Sequence, residues 1–267
     1  MQDFNTLFLA GGYGSRLARD LTAASLTHLL NLPKGLLPLA GKPLLSHWLD
    51  RFSFSRCYLI SNHLYLDQFL AWSQTVSPSP VVIDNGTLSN ETRLGSIGDL
   101  EFILSRLPRL SQDPLLIIAS DTLFLKDFSL SDFVNAYARE SALAPARPSL
   151  WVTCYTLPPD QSTAKSGILE LDSNNNVVQF LEKPAPSETR SRLACPCFYL
   201  IPPQALPLVS EFLKEKSACP LEDKDATGKW IAWMVNKYPI KAMHISGRLD
   251  IGGLASYNEA QKYMAEE

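Results

Sequence analysis

The segment from Leu7 to Leu45 has the sequence LFLAGGYGSRLARDLTAASLTHLLNLPKGLLPLAGKPLL. It begins with a short apolar run that predicts a buried β-strand, and the strand ends in a glycine-rich loop. The glycines of the loop are Gly11, Gly12 and Gly14. Because such a loop exposes backbone N–H groups at the end of a strand, it is suited to bind phosphate. Two cations, Arg16 and Lys34, follow the loop, so the segment predicts an α/β protein with an anion site beside its first strand.

Strand-like and helix-like segments alternate along the chain after this first strand. CYLISN and PLLIIAS are apolar strand patterns, whereas PLLSHWLDRF and SIGDLEFILSRL space their apolar residues as helices do. This alternation predicts a mostly parallel, doubly wound core. After Pro148, two alternating segments flank Asn174, Asn175 and Asn176, which is a hairpin signal, so antiparallel strands are expected to be added. The segment CPCFYLI is expected to form one strand, and residues 1–267 are expected to form a single domain.

Composition narrows the classes of function. The chain has 267 residues, of which 46% are hydrophobic, enough to bury a full core without disulfides. Its net charge is −3 and its basic residues are scattered, which argues against a nucleic-acid or membrane partner and favours a small polar ligand. The five cysteines predict reduced packing residues in a cytoplasmic protein, and a metal site at Cys195 and Cys197 is the less favoured alternative. No signal peptide or membrane span is predicted.

Two common phosphate-binding motifs do not fit the glycine loop. The dinucleotide fingerprint G-x-G-x-x-G requires a glycine where Leu17 stands. The P-loop G-x-x-x-x-G-K-[ST] requires a hydroxyl residue where Pro43 follows Gly41 and Lys42. The pattern that remains is G-G-x-G-x-R-L followed by P-K-x-L-L-P-x-x-G-K-P-L-L.

Five segments in order along nearly the whole chain carry a family resemblance: GGYGSRL (Gly11 to Leu17), PKGLLPLAGKPLL (Pro33 to Leu45), SD (Ser120, Asp121), EKP (Glu182 to Pro184) and DIGGLASYNEA (Asp250 to Ala260). With these segments the sequence resembles the sugar-phosphate nucleotidylyltransferases, also called nucleoside-diphosphate-sugar pyrophosphorylases. The resemblance implies a Rossmann-like mixed sheet of the nucleotide-diphospho-sugar transferase type. It also implies transfer of a nucleotidyl group from a nucleoside triphosphate (NTP) to a sugar 1-phosphate, with release of pyrophosphate.

The resemblance assigns the opening segment to the triphosphate. Gly11, Gly12 and Gly14 would let the backbone approach the phosphates, and Arg16 would hold the oxygens of the departing pyrophosphate. Lys34 would neutralise charge at the reacting phosphates. A tight turn alone would also explain the glycines, but it would explain neither cation.

Two aspartates are expected to hold Mg²⁺. Asp121 directly follows the apolar strand PLLIIAS, and Asp250 comes after the strand IKAMHIS, so both are expected at the carboxyl edge of the sheet. Two carboxylates together with phosphate oxygens suit Mg²⁺, which prefers oxygen ligands. The alternatives are a cap or turn role for Asp121 and a turn role for Asp250.

Three further residues are expected at the acceptor and the base. Glu182 and Lys183 would face the sugar phosphate, with an exposed ion pair as the alternative. Gly95 lies in a stretch that resembles the family's segment near base and sugar, and helix capping by Ser96 is a compatible explanation.

The chain also departs from the family pattern. The interval between Arg16 and Pro33 is longer than usual, and LTAASLTHLL within it predicts an extra helical turn or a lid. Gly35 stands where the family commonly has proline, and Ser120 stands where it has glycine before the aspartate. These departures leave the base and the acceptor open.

The interpretation is therefore a cytoplasmic, Mg²⁺-dependent enzyme whose partners are an NTP and a sugar 1-phosphate, with homo-oligomer formation left open. One alternative is the same fold acting on a non-sugar phosphate, such as an alcohol or amino-alcohol phosphate. The other is a catalytically silent regulatory subunit that binds nucleotide sugars. The four charged residues at the expected reaction centre argue against a silent subunit: Arg16, Lys34, Asp121 and Asp250.

Overall fold

The computed structural model describes residues 3–266. The strands in this range are β1 (Asn5–Ala10), β2 (Pro38–Leu39), β3 (Lys42–Pro43), β4 (Arg56–Ser61), β5 (Val81–Asp84), β6 (Leu115–Ala119), β7 (Thr122–Phe124), β8 (Leu150–Thr156), β9 (Gly167–Leu171), β10 (Val177–Glu182), β11 (Leu193–Cys195), β12 (Phe198–Ile201), β13 (Ile240–His244) and β14 (Arg248–Asp250). The α-helices are α1 (Ser15–Ala23), α2 (Leu44–Arg51), α3 (Leu66–Ser73), α4 (Gly95–Arg106), α5 (Leu130–Leu143), α6 (Leu208–Glu215), α7 (Thr227–Met234) and α8 (Leu254–Glu266).

A ten-stranded mixed sheet has the order β10-β9-β11-β8-β12-β6-β1-β4-β5, with β13 also paired to β8. Its core is mostly parallel, as in the pair β4–β5, and antiparallel pairs are added where β8 meets β11 and β12. Two short pairs, β14–β7 and β2–β3, lie outside this sheet. The arrangement confirms the predicted fold class.

The predicted hairpin is confirmed and one predicted strand is wrong. β9 and β10 pair antiparallel, and Asn175 between them has a φ of +61°, which asparagine tolerates in tight turns. CPCFYLI does not form one strand, because β11 ends at Cys195 and β12 begins at Phe198. Pro196 lies in the break and has no N–H to continue the ladder. All five cysteines are free thiols.

The chain divides into two compact units, which are described separately. The N-terminal unit contains residues 6–94, 118–125 and 248–266. In its core, the fully buried ring of Trp48 lies 5.4 Å from the ring of Phe124, and its indole N–H donates to the carbonyl of Thr122 at 2.6 Å. From α8, the hydroxyl of Tyr257 donates to the carbonyl of Pro38 at 2.6 Å. These contacts hold three distant parts of the sequence in one core.

The central unit contains residues 3–5, 95–117 and 126–247. Its core has edge-to-face aromatic pairs, in which the Phe133 ring lies 5.3 Å from Phe198 and 6.0 Å from Trp151. Its helices α4 and α6 are joined by the hydroxyl of Ser210, which donates to the carboxylate of Glu101 at 2.7 Å. Across residues 3–266, no helix has both the length and the hydrophobicity that a membrane crossing requires.

Candidate active site

The glycine loop leads from β1 directly into α1. Gly14 occupies the N-cap position of α1 with a φ of +64°, a conformation that favours glycine. No side chain among residues 3–266 caps this helix, so its first N–H groups remain directed at the loop. Within the part of the chain that the structure describes, the N–H groups of Gly12, Tyr13 and Gly14 have no protein acceptor either. The loop therefore offers several backbone donors to an anion.

Lys34 and Asp121 form an ion pair in the N-terminal unit. Lys34 Nζ donates to Asp121 Oδ2 at 2.8 Å, although the residues are 87 positions apart. A side chain on Gly14 would place its Cβ 3.7 Å from Lys34 Cγ, so the lysine lies beside the glycine loop. Burial raises the pKa of Asp121, but the charge and hydrogen bond of Lys34 and the charge of Arg248 outweigh it and lower the pKa below its ordinary value. Asp121 is thus kept ionised.

Asp250 is brought to Asp121 by the antiparallel pair β14–β7. Asp250 lies opposite Thr122, and the N–H of the next residue, Ile251, donates to the carbonyl of Asp121 at 2.9 Å. The two aspartates, which are separated by most of the second half of the chain, are therefore near neighbours on adjacent strand ends.

Arg248 is a residue of this centre that the sequence analysis did not identify. Its Nη1 donates to Asp250 Oδ1 at 2.6 Å and to Thr122 Oγ1 at 2.8 Å. The sequence offered one signal that Arg248 lies near Asp250, because residues two apart on a strand point to the same face. Arg248 lies two positions before Asp250, so the two side chains share a face of β14.

The expected Mg²⁺ ligands suit a hard cation. Asp121 and Asp250 supply carboxylate oxygens from neighbouring strand ends, the ligand type that Mg²⁺ prefers. Among residues 3–266, no group of three or more His, Cys, Asp or Glu side chains is arranged to hold a metal. A cation at these aspartates would therefore need oxygens from bound phosphate or water, as Mg²⁺ commonly does.

Arg16 lies exposed in the first turn of α1. Within residues 3–266 it has no ion-pair partner, unlike Arg19 one turn later, whose Nε lies 3.9 Å from Asp20 Oδ1. The Arg16 guanidinium is therefore free of partners among the described residues, and it lies at the N-terminus of α1, next to the glycine loop.

The two departures from the family pattern, Gly35 and Ser120, lie in contact. A Cβ built on Gly35 would lie 3.2 Å from the Cβ of Ser120 and 2.8 Å from Leu45 Cδ1. The space beside the backbone at Gly35 is therefore filled by the neighbouring side chains. Where the resemblance leads one to expect a proline and a glycine, this chain has a glycine and a serine that fit together.

The long interval after Arg16 contains the predicted extra helical turn. A 3₁₀ turn covers Thr27–Leu29, and Leu29 is buried. The segment is also held by Gln68, whose Nε2 donates to the carbonyl of Asn31 at 2.8 Å. Leu29, with Leu17 and Leu21 of α1, lines a narrow cleft that extends to Lys34. The role of this segment as a lid stays a prediction.

Glu182 and Lys183 lie at the end of β10 in the central unit. Their side chains differ in exposure, at 15% for Glu182 and 55% for Lys183, and Lys183 Nζ lies 3.6 Å from Glu182 Oε1. Burial raises the pKa of Glu182, and the charges of Lys183 and Lys229 only partly oppose it. A Cβ on Gly228 would lie 1.8 Å from Glu182 Oε2, so this glycine of α7 makes room for the carboxyl group. The ion pair given as the alternative is therefore formed, with an exposed ammonium and a mostly buried carboxyl group, and contact of the two residues with the acceptor stays a prediction.

Gly95 begins α4 in the central unit with a φ of +75°. A Cβ at this position would lie 2.7 Å from the Cα of Asp225, and the N–H of Ser96 donates to the Asp225 carbonyl at 2.6 Å. Backbone packing against Asp225 thus accounts for the glycine, while its contact with a nucleotide stays a prediction. Ser96 follows Gly95 at the start of α4, and capping of the helix by its side chain stays a prediction.

Solved structures with this fold include enzymes of nucleotide-sugar chemistry. A UDP-glucose pyrophosphorylase complexed with UDP-glucose matches with a TM-score of 0.73 and 16% identity over 99% of each chain. A Bacillus anthracis protein described as a glucose-1-phosphate thymidylyltransferase matches with a TM-score of 0.71 and 16% identity, over 99% of this chain and 96% of the other. The TM-scores establish a shared fold.

A third structure is a CTP:phosphocholine cytidylyltransferase from Streptococcus pneumoniae, with a TM-score of 0.69, 12% identity and coverage of 99% of this chain and 100% of the other. No curated protein matches the sequence. The family model described as nucleotidyl transferase matches residues 5–267. With the glycine loop, the Lys34–Asp121 pair and this match over nearly its whole length, the chain belongs to the nucleotidyl transferase family.

Proposed function

We propose that the protein is a Mg²⁺-dependent sugar-1-phosphate nucleotidylyltransferase and that residues 1–267 act as one nucleotidyltransferase domain. The observation that carries the proposal is the convergence of Lys34, Asp121, Asp250 and Arg248 beside the glycine loop. A cluster of alternating charges next to uncapped backbone N–H groups suits a triphosphate and a divalent cation together.

The proposed reaction forms one bond and breaks one bond at the α-phosphorus of the NTP. An oxygen of the acceptor's phosphate attacks in line, and the bond from the α-phosphorus to the bridging oxygen of the leaving pyrophosphate breaks. The bonding electrons leave with pyrophosphate, so no covalent enzyme intermediate is needed. Such a transfer depends chiefly on positioning and on stabilisation of developing negative charge.

The candidate site residues of the N-terminal unit each have a role in this scheme. The N–H groups at Gly12, Tyr13 and Gly14 bind phosphate oxygens, and Arg16 holds the pyrophosphate as it departs. Lys34 neutralises charge at the reacting phosphates. Mg²⁺, held by Asp121 and Asp250, would supply further charge neutralisation at the phosphate oxygens.

Glu182 and Lys183 are proposed to bind the acceptor. The exposed ammonium of Lys183 suits the acceptor's phosphate, and the mostly buried carboxyl group of Glu182 suits sugar hydroxyls, which can donate hydrogen bonds to it. Gly95 is proposed to lie near the base and sugar. The free thiols support a reducing compartment, and we place the enzyme in the cytoplasm.

A non-sugar acceptor is the second candidate. Similarity to a CTP:phosphocholine cytidylyltransferase over the full length of both chains supports it at the level of fold. The same Glu182 carboxylate could pair with the cationic head of an amino-alcohol phosphate as well as with hydroxyls. The two candidates therefore share the Lys183 phosphate contact and differ at Glu182.

The test is a matrix of the four common NTPs against several sugar 1-phosphates and amino-alcohol phosphates, with pyrophosphate release as the signal. The Asp121→Asn variant, purified in parallel, controls for contaminating enzymes. We expect release with one NTP and a sugar 1-phosphate. If pyrophosphate is released only with an amino-alcohol phosphate as acceptor, the non-sugar candidate replaces the sugar 1-phosphate. If no pair reacts while nucleotide sugars still bind in calorimetry, the protein is a silent binding subunit.

A further inference from the structure

Asn62 joins the end of β4 to the glycine loop. It is completely buried, and its Nδ2 donates to the carbonyl of Gly11 at 3.1 Å and to that of Gly12 at 3.4 Å. Its Oδ1 accepts from the N–H of Tyr65 at 3.1 Å, as the cap of the short turn His63–Tyr65. One amide group therefore fixes two peptide units of the loop and is itself fixed by a third segment.

The next carbonyl of the loop is held in a similar way. The hydroxyl of Tyr65 donates to the carbonyl of Tyr13 at 3.4 Å, and the hydroxyl of Tyr13 donates to Thr87 Oγ1 at 2.8 Å. Three successive carbonyls, those of Gly11, Gly12 and Tyr13, are thus turned towards side chains of the N-terminal unit.

The direction of these carbonyls sets the direction of the N–H groups. In a planar trans peptide, the C=O of one residue and the N–H of the next point in opposite directions. Fixing the carbonyls of residues 11, 12 and 13 therefore fixes the N–H groups of residues 12, 13 and 14. Those are the loop N–H groups that lack a protein acceptor within residues 3–266.

We propose that Asn62 is a positioning residue of the phosphate loop: by holding the Gly11 and Gly12 carbonyls it aims the N–H groups of Gly12 and Tyr13 at the phosphates of the ligand. The proposal rests on the proposed function for the identity of that ligand. It assigns no contact between Asn62 and the ligand, because the side chain acts through the loop peptides.

Asparagine is suited to this position because it presents two donors and one acceptor on a single planar group. Aspartate has the same shape and keeps the acceptor for Tyr65, but it has no donor and places a carboxylate against two carbonyl oxygens. Asn62→Asp therefore removes the loop contacts while it preserves the cap of the turn. Ser61→Ala is the matched control, since Ser61 is also fully buried and its hydroxyl donates to the carbonyl of Asn62 at 2.8 Å.

The first measurement is the affinity of the purified protein for inorganic pyrophosphate, by calorimetry, with folding checked by circular dichroism. Losing a buried hydrogen bond while leaving carbonyls unsatisfied is expected to weaken binding by about tenfold or more. We expect this loss in Asn62→Asp, together with a similar rise in the Michaelis constant for the NTP and an unchanged Michaelis constant for the acceptor. Ser61→Ala also loses a buried hydrogen bond, but its hydroxyl bonds the carbonyl of Asn62 and not a carbonyl of the loop, so all three quantities are expected to remain within about twofold of wild type.

The second measurement is the backbone ¹⁵N order parameter of residues 12 to 14, which needs neither ligand nor activity. We expect rigid values, near 0.85, in the wild type and in Ser61→Ala, and values below about 0.6 at residues 12 and 13 in Asn62→Asp. Tyr65→Phe, which removes only the donor to Tyr13, is a milder second variant in case Asn62→Asp does not fold. It is expected to raise mobility chiefly at residue 14.

The outcomes separate the two claims. If wild type binds pyrophosphate and Asn62→Asp binds it equally well, the positioning role is wrong while the proposed function stands. If wild type binds neither pyrophosphate nor any NTP, the proposed function fails, and the order parameters alone decide whether Asn62 holds the loop. Equal order parameters in Asn62→Asp and Ser61→Ala would overturn the inference in either case.

Discussion

Each of the two units contains one carboxyl group of interest, Asp121 in the N-terminal unit and Glu182 in the central unit. Their surroundings shift the two pKa values in opposite directions. In the N-terminal unit, Asp121 is paired with Lys34 at 2.8 Å and its pKa is lowered, despite the opposing effect of burial. In the central unit, burial prevails over the charges of Lys183 and Lys229, and the pKa of Glu182 is raised. The Lys183 ammonium, at 3.6 Å from Glu182 Oε1 and mostly exposed, is too weakly coupled to reverse it.

The difference indicates two kinds of chemistry. The N-terminal unit lowers the pKa of Asp121 by placing it beside Lys34 and Arg248, which suits a site for phosphates and a divalent metal. The central unit holds a mostly buried carboxyl group whose pKa is raised by burial, and its oxygens suit hydrogen bonds from neutral hydroxyls. The comparison predicts that damage to the N-terminal unit abolishes turnover, whereas damage to the central unit mainly changes acceptor use.

The largest effect is expected for Asp121→Asn and Asp250→Asn. If both aspartates hold the same Mg²⁺, each change damages the same metal site. Each should then lower turnover by about a thousandfold or more, since a bound metal supplies several kcal/mol of charge stabilisation. The double variant should be little worse than the poorer single variant, because the losses are not independent. Raising Mg²⁺ should partly restore the single variants. Steady-state turnover against Mg²⁺ concentration measures all three.

Asp50→Asn is the control for this experiment, since Asp50 forms an exposed ion pair with Lys42 elsewhere in the same unit. It should behave like wild type. Losses that multiply in the double variant would contradict a shared metal. If Asp250→Asn depends on Mg²⁺ as the wild type does, Asp250 does not bind the metal and has only a turn role.

The next largest effect is expected for Lys34→Ala and Arg16→Ala. Each should fold normally and lose about a hundredfold in turnover, the scale for removal of one stabilising donor. Arg19→Ala provides the control, because Arg19 lies on the same helix with a side chain that is 77% exposed. Circular dichroism and turnover measure the two properties. A variant that folds and retains near-normal turnover would remove its residue from the reaction centre.

A smaller and selective effect is expected for Lys183→Ala. The Michaelis constant for the acceptor should rise by about tenfold, as for loss of a charge-assisted hydrogen bond, while that for the NTP stays nearly constant. Lys165→Ala, an exposed lysine of the same unit, is the control. Equal changes for both substrates would favour a structural ion pair over an acceptor contact.

The smallest effect is expected in the pH dependence of acceptor use. Because the pKa of Glu182 is raised, its carboxyl group takes up a proton at a higher pH than an ordinary glutamate. If acceptor binding needs the ionised form, kcat/KM for the acceptor falls as the pH is lowered through this pKa, by at most about tenfold per pH unit. Glu182→Gln should remove this dependence and leave only the titration of the acceptor's phosphate. Identical profiles for wild type and variant would contradict a role for Glu182 charge.

Much of the fold was predictable because its signals are local. The apolar run of β6 and the asparagines before β10 each indicate their structure within a few residues, and the structure confirms both. The single strand over CPCFYLI was predicted wrongly, because its apolar character was given more weight than the missing N–H of Pro196. Local sequence patterns therefore predicted these strands and turns correctly except at Pro196, where a missing backbone N–H ends the strand.

The candidate site was only partly predictable. Lys34, Asp121 and Asp250 were identified from motifs, and the structure brings them together. Arg248 and Asn62 were not identified, because an arginine near a strand end and an asparagine after an apolar strand are common in any α/β protein. Their significance lies in what they contact: the Asp250 carboxylate for one, and the Gly11 and Gly12 carbonyls for the other.

The sequence by itself determined the alternation of strands and helices, the family, and the residue types needed for phosphate chemistry, because periodicity and motif spacing are properties of short segments. Only the tertiary structure decided the opposite pKa shifts of Asp121 and Glu182, and the fit of Gly35 to Ser120. Those features depend on burial and on distances between residues far apart along the chain. A linear sequence does not contain such distances until β7 and β14 pair and the glycine loop closes onto β4.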